Sequence, residues 1–260
     1  MKRVAMLLLP FAFLFYADSA RAQTIAHEIL RMEFEVGAGE ANIKTLDAWI
    51  DDLIKDARLK PSTGHESSRA ARKNLKAVHR YLFEKKLVEY NPTLLFHEML
   101  GKWYGDCDIF SFFYLAVAEK LNWPLYAVIV PNHMYVRWVG KNFIVNWDPN
   151  IGASQDEIYY LRNGLVHLKT YESGLYLHSL TRKQVIAVAK FNVAALYGSF
   201  RSDHVRAIEW ASEAIKDFPE YADVYDFRAW CYGELGYTDE ASRDLNMALA
   251  LNPRIIDRRK

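Results

Sequence analysis

Apolar residues recur at helical spacing over residues 23–100. In Ala41 to Arg58 they fall at Ile43, Leu46, Ile50, Leu53 and Ile54, with Trp49 beside them. That spacing predicts a helix with one buried stripe. The polar stretch Lys60 to Ser68, with Pro61 and Gly64, reads as a loop. A second helix is expected from about Ser68 to Val88, with Leu75, Val78 and Leu82 inward and Asn91-Pro92 ending it.

The pattern then changes. After Asp106, a candidate helix cap, come Ile109, Phe110, Phe112, Phe113, Leu115, Ala116 and Val117. A helix apolar on nearly every side belongs in the centre of a fold. Trp123-Pro124 stops it. Tyr126 to Val130, Met134 to Val139 and Phe143 to Trp147 are rich in β-branched and aromatic residues and are separated by short polar breaks. They read as antiparallel strands. A buried helix followed by a meander predicts an α+β class, with N-terminal helices and a central helix on a small antiparallel sheet.

The C-terminal part repeats. Ala195 and Ala229, Ala207 and Ala241, Ala214 and Ala248, and Pro219 and Pro253 are each 34 positions apart. With Tyr225, Tyr232 and Gly236, this fits a tetratricopeptide-type pattern of paired helices. Two such repeats are too few to bury a solenoid core alone. They are expected to dock on residues 150–186, where Ser154 and Glu157 have capping-box spacing.

The start of the chain reads differently. Lys2-Arg3, the apolar run Val4 to Tyr16 and Ala20-Arg21-Ala22 have the layout of a cleaved export signal. The run is short of the roughly 20 apolar residues a membrane span needs. The division expected is 1–22 signal peptide, 23–180 core with N-terminal helices, and 181–260 helical tail. The protein is then periplasmic or secreted, with no stable membrane insertion after cleavage. The 260-residue chain carries a net charge of +1, and its only basic cluster is the tail Arg254 to Lys260. That excludes a nucleic-acid partner by charge.

Export implies an oxidising compartment, yet Cys107 and Cys231 fall in different expected domains and are not read as a disulfide. Cys107 follows Gly105-Asp106 at the start of the buried helix. There, free N–H groups and the dipole favour a thiolate, and its own N–H is an oxyanion donor candidate. The alternative is a small buried apolar residue. Asp106 and Asp108 oppose a thiolate, so the compensating charge is expected from an imidazolium. His133 opens a strand 26 residues later, and Asp148 ends the next one 15 residues after that. Alone, each has a plainer reading, as a strand histidine and as a turn aspartate before Pro149. Together they can form a nucleophile, a base and an orienting carboxylate. His27-Glu28 and His97-Glu98 lack the second histidine a zinc protease helix needs.

Gly105-Asp106-Cys107, His133-Met134-Tyr135-Val136 and Asp148-Pro149, in this order, resemble the transglutaminase-like core of the papain-like cysteine superfamily. Val78 to Glu84 and Gly152 are similar to a compact bacterial subgroup that joins this core to tetratricopeptide repeats. The resemblance takes in roughly residues 75–255. It implies a cysteine hydrolase or acyltransferase acting on an amide or peptide bond without a cofactor. The repeats would hold a protein partner or the protein or peptide substrate. Some members of the subgroup lack the cysteine, so a non-catalytic envelope scaffold is the alternative.

Overall fold

A computed structural model describes residues 23–163 and 165–255. The export-signal reading of residues 1–22 lies outside them, as does most of the basic tail. Three helices come first: α1 (Ile25–Met32), α2 (Glu40–Asp56) and α3 (Ser68–Arg80). The α2 stripe is buried as its spacing requires, through Ile43, Leu46, Trp49, Ile50 and Leu53. Ser67 caps α3 by accepting from the Ala70 N–H. The second helix does not run to Val88. It passes into a π turn at Tyr81–Lys85 and stops there. Leu87 then adopts a positive φ of 55°, which breaks the helical path before Asn91-Pro92 is reached.

A parallel two-stranded ribbon, β1 (Glu89–Tyr90) with β2 (Tyr104–Gly105), brackets α4 (Phe96–Lys102). The ribbon leads directly into α5 (Cys107–Lys120), whose residues Ile109 to Ala118 are all buried. Rings from three neighbours surround it. Trp49 and Phe83 meet Phe113 and Phe110 edge-on at 6.2 and 5.0 Å, and Phe96 meets Phe112 at 6.1 Å. Each fully buried side chain of this kind contributes about 1.5–3 kcal/mol.

The sheet has the order β3-β4-β5-β6, all antiparallel, with β3 (Leu125–Val130), β4 (His133–Gly140), β5 (Phe143–Asp148) and β6 (Ala153–Ser154). Met134, Val136, Trp138, Val145 and Trp147 alternate onto its buried apolar face. The opposite face carries a buried polar ladder. Arg137 Nε donates to Asn146 Oδ1 directly across the strands, and Glu157 accepts from both residues. Glu157 therefore does not close a capping box with Ser154. The short helix α6 (Glu157–Arg162) is capped instead by Asp156, which accepts from the Ile158 N–H.

After α7 (Leu168–Glu172) the tail is four helices: α8 (Arg182–Ala195), α9 (His204–Asp217), α10 (Ala222–Glu234) and α11 (Thr238–Leu251). Each packs on the next. Moving α9 along by 34 positions lands both of its ends on those of α11. The tail docks more widely than on residues 150–186. Tyr176 Oη donates to Asp223, but Arg182 also pairs with Glu28 of α1 and Glu119 of α5. Among the described residues, no helix is long and apolar enough to cross a membrane.

Candidate functional site

Cys107 is the first residue of α5 and Asp106 is its N-cap. Gly105 makes the entry possible, because a Cβ there would lie 2.8 Å from the Phe110 ring. The helix start leaves the first-turn N–H groups without helical acceptors. Asp106 holds the cap position without a side-chain capping bond, contrary to its expected role. Its Oδ1 is buried with no hydrogen-bond partner. Asp108 does the local work, accepting from the Ile109 N–H at 3.0 Å.

Asp108 has a second donor from far along the chain. Asn192 Nδ2, on α8, donates to Asp108 Oδ2. Burial raises the Asp106 carboxyl well above the carboxylate range, and the hydrogen bond and charge of Asp108 add to this. Asp106 is therefore held as the protonated acid beside Asp108.

His133 and Asp148 come together through the sheet register. Val136 faces Trp147, so one step further sets Tyr135 opposite Asp148. His133 lies two residues from Tyr135 on the same face, a diagonal neighbour. His133 Nε2 meets Asp148 Oδ2 at 3.0 Å, with both side chains largely buried. The carboxylate accepts, so Nε2 carries the hydrogen and Nδ1 is left as the basic nitrogen.

Asp148 also does what a turn aspartate does. Its Oδ1 accepts from the Asn150 N–H at 2.9 Å, and its carbonyl accepts from the Gly152 N–H at 2.9 Å. This turn rests on α3. His79 Nδ1 lies 3.1 Å from the Pro149 carbonyl, and Gly152, at φ +63°, packs against the His79 ring. A Cβ at Gly152 would stand 2.5 Å from that ring.

Cys107 and His133 line one cavity of about 240 Å³. Among the described residues they share no hydrogen bond. The Met134 N–H lies at the sulfur, and so does that of Asp108. Burial raises the Cys107 thiol far above its usual range, and the charges of Asp108 and Asp106 raise it further. The resting site therefore holds a thiol, where the sequence predicts thiolate and imidazolium. Cys231 is also free and is fully buried in α10, where burial pushes its thiol up to about 12.

The tail supplies the far wall of the cavity through Phe191, Asn192, Tyr221 and Asp223. Sequence reasoning missed this wall. A signal did exist, since Asn192 is a polar residue among the apolar Ala189, Val193 and Ala194 of a buried helix face. Asp106, Cys107 and Asp108 also form the one group of metal-ligating side chains with metal-like spacing among the described residues, their atoms lying within 4.8 Å. Elsewhere, His97 Nδ1 pairs with the buried Glu33 at 2.8 Å and His27 Nε2 with Asp47 at 3.3 Å. Nearby tryptophans divide: Trp138 and Trp147 are core, whereas Trp103 is half exposed.

No curated protein matches the sequence. Among solved structures, the chain is similar to menin, in a crystal structure described as revealing the binding site for the Mixed Lineage Leukemia (MLL) protein. The TM-score is 0.49 at 15% identity, over 86% of this chain and 65% of that chain. This chain thus spans just under two thirds of the menin chain it matches. A model of the transglutaminase-like superfamily matches residues 44–186, beginning well before the resemblance read from the motifs and ending at α8. That match takes in more than half of the 260 residues, including Cys107, His133 and Asp148, and the chain belongs to the transglutaminase-like superfamily.

Proposed function

We propose that this chain is an exported cysteine acyl-transfer enzyme acting on an amide or peptide bond, with a tetratricopeptide-type tail that helps to hold its protein or peptide substrate. The observation that carries the reading is the His133–Asp148 bond of 3.0 Å beside the cavity that Cys107 also lines. With Nε2 held by Asp148, Nδ1 is the nitrogen left to take the thiol proton.

The chemistry follows from these roles. The Cys107 sulfur attacks the carbonyl carbon as His133 Nδ1 takes its proton. The first-turn N–H groups of α5 offer donors to the oxyanion. The C–N bond breaks and the leaving amine takes the proton from His133. Water, or a second amine, attacks the thioester with His133 again as base. The cysteine leaves as thiol, and acid or amide is released. Asp148 holds the ring orientation and stabilises the imidazolium. Because the resting cysteine is protonated, this site works by general-base transfer during attack and not from a preformed ion pair.

The second reading is a non-catalytic scaffold. It is favoured by the same burial and paired carboxylates that disfavour the Cys107 thiolate. Alkylation separates the two. With iodoacetamide and peptide mass spectrometry, Cys107 is expected to label several-fold faster than the buried Cys231, and His133→Ala is expected to slow the Cys107 labelling while leaving that of Cys231 as it was. If Cys107 labelling is indifferent to His133, the enzyme reading fails and the scaffold reading stands.

A further inference from the structure

Helix α3 gathers charge that the sequence spreads out. Its 13 residues hold Arg69, Arg72, Lys73, Lys76 and Arg80 and no carboxylate, in a chain whose net charge is only +1. Apolar residues stand between these cations, so no basic run marks them. The helix lines them up. At 3.6 residues per turn, Arg69, Lys73, Lys76 and Arg80 fall within one narrow stripe about 16 Å long. All four are exposed. The opposite side of α3 is buried through Ala71, Leu75 and Val78.

Most of the stripe has no counter-charge. Arg80 reaches Glu84 at 3.5 Å, and both side chains stay largely exposed. Lys85 engages Asp52 and Asp56 of α2 at 3.2 and 3.3 Å. Among the described residues, Arg69, Lys73 and Lys76 have no ion-pair partner. Lys73, Lys76, Arg80 and Lys85 line a cleft of about 500 Å³ between α3 and α2. The two carboxylates in its lining are Asp56 and Glu84, which are already paired.

The other edge of the stripe carries an apolar side chain. Arg72 donates to Ser154 Oγ, while the His79 ring lies 3.1 Å from the Pro149 carbonyl and packs against Gly152. Arg72 and His79 are seven residues apart, on one side of α3. The turn from Pro149 to Ser154 therefore runs along the stripe. Within it Ile151 is 64% exposed. The next helix, α6, exposes Ile158 and Tyr159 as well.

From the unpaired stripe and the exposed isoleucine beside it we infer that α3 and the Ile151 turn form a docking face for an anionic phospholipid bilayer. A negative membrane surface attracts the cations, each adding to the binding. The same interface takes up the apolar side chain, which a soluble polyanion has no use for. The long stems of Lys73 and Lys76 can lie along that boundary with their ammonium groups among the phosphates. The inference goes beyond the acyl-transfer reading and does not depend on it.

Cosedimentation of the full chain with lipid vesicles tests it. One set of vesicles is phosphatidylcholine alone, and the other contains about one third phosphatidylglycerol. At about 0.1 M salt the anionic vesicles are expected to bind at least about tenfold more tightly, and the difference should vanish near about 1 M. Lys73→Gln with Lys76→Gln should weaken binding to the anionic vesicles about 25-fold, at about fivefold for each cation. Both side chains are exposed and glutamine is a good helix former, so the melting temperature should hold. Ile151→Ser should weaken binding about tenfold and leave the salt dependence as it was.

Three results overturn the inference. One is an anionic preference that survives Lys73→Gln with Lys76→Gln in folded protein. Another is a preference that is lost instead in Arg258→Gln with Arg259→Gln, which assigns it to the basic tail. The third is tighter binding of polyglutamate or a DNA duplex than of the anionic vesicles at equal salt, which makes a soluble polyanion the occupant.

Discussion

Asn192 on α8 donates to Asp108 on α5, joining two residues 84 positions apart across the boundary between the tail and the core. The contact lies one residue from the cysteine. It makes the tail part of the site and not merely an appendage.

Replacing Asn192 by alanine leaves a charged acceptor without its donor. Hydrogen bonds to charged groups are worth about 1.5–3 kcal/mol, so denaturant unfolding should show a loss of that order. The Asp108 charge also becomes less compensated, which disfavours the thiolate further. Cys107 alkylation in Asn192→Ala should therefore slow while Cys231 labelling in the folded state stays as it was.

The flanking carboxylates make an opposite prediction. Burial is the largest cause of the raised Cys107 pKa, and Asp108 and Asp106 come next, in that order. Asp108→Asn removes the stronger of the two charges and can still accept from the Ile109 N–H. The pH–rate curve for alkylation should shift downward, and more so than in Asp106→Asn. An unmoved curve would mean that burial alone sets the thiol.

The turn after Asp148 depends on a missing side chain. Gly152 combines φ +63° with a Cβ position 2.5 Å from the His79 ring. Gly152→Ala adds backbone strain and a collision, at a cost of about 1–3 kcal/mol. The displaced turn should also weaken the His133–Asp148 bond. An NMR titration of His133 should then differ from that of the parent protein, whereas Gly64→Ala, a positive-φ glycine with nothing near its Cβ, should leave it unchanged.

Acid sensitivity follows from two histidines. His79 and His27 are both lowered from the ordinary value of 6.5, with burial the main cause. A histidine with a lowered folded pKa binds fewer protons in the native state than in the unfolded chain. Its stabilising contribution is complete above about pH 6.5 and is lost as pH falls through its depressed folded value. Urea unfolding followed downward from pH 7 should show declining stability below about 6.5, and a shallower decline in His79→Gln.

Much of this was legible in the chain because the signals were local. The three long strands announced themselves by β-branched and aromatic runs, and their register brings His133 and Asp148 within reach. The helix opened by Cys107 was legible as a continuous apolar run behind a glycine. What escaped was set by distant partners. Glu157 had the spacing to cap a helix but is drawn to Arg137 and Asn146 on the sheet. Asp106 had the residue type of a cap, yet it is buried beside Asp108 without a side-chain capping bond. The α3 helix ended early in a π turn whose Tyr81 hydroxyl reaches Asp52 on α2, a tertiary contact with no sequence period.

The 34-residue repeat offers a test of packing. Ala214 in α9 and Ala248 in α11 occupy equivalent places, and both are fully buried. A small residue at each lets the paired helix approach closely, so a larger one has no room. Ala248→Leu should cost about 1–3 kcal/mol through overpacking, and Ala214→Leu a similar amount. The two should differ in reach. Ala248 lies in the terminal helix, packed mainly on α10, whereas α9 sits between α8 and α10. The α8 helix carries Asn192 and Phe191 to the Cys107 cavity. Ala214→Leu should therefore alter Cys107 alkylation as well as stability, and Ala248→Leu should alter stability alone. If both substitutions leave the alkylation rate unchanged, strain in the repeats does not reach the cysteine through α8.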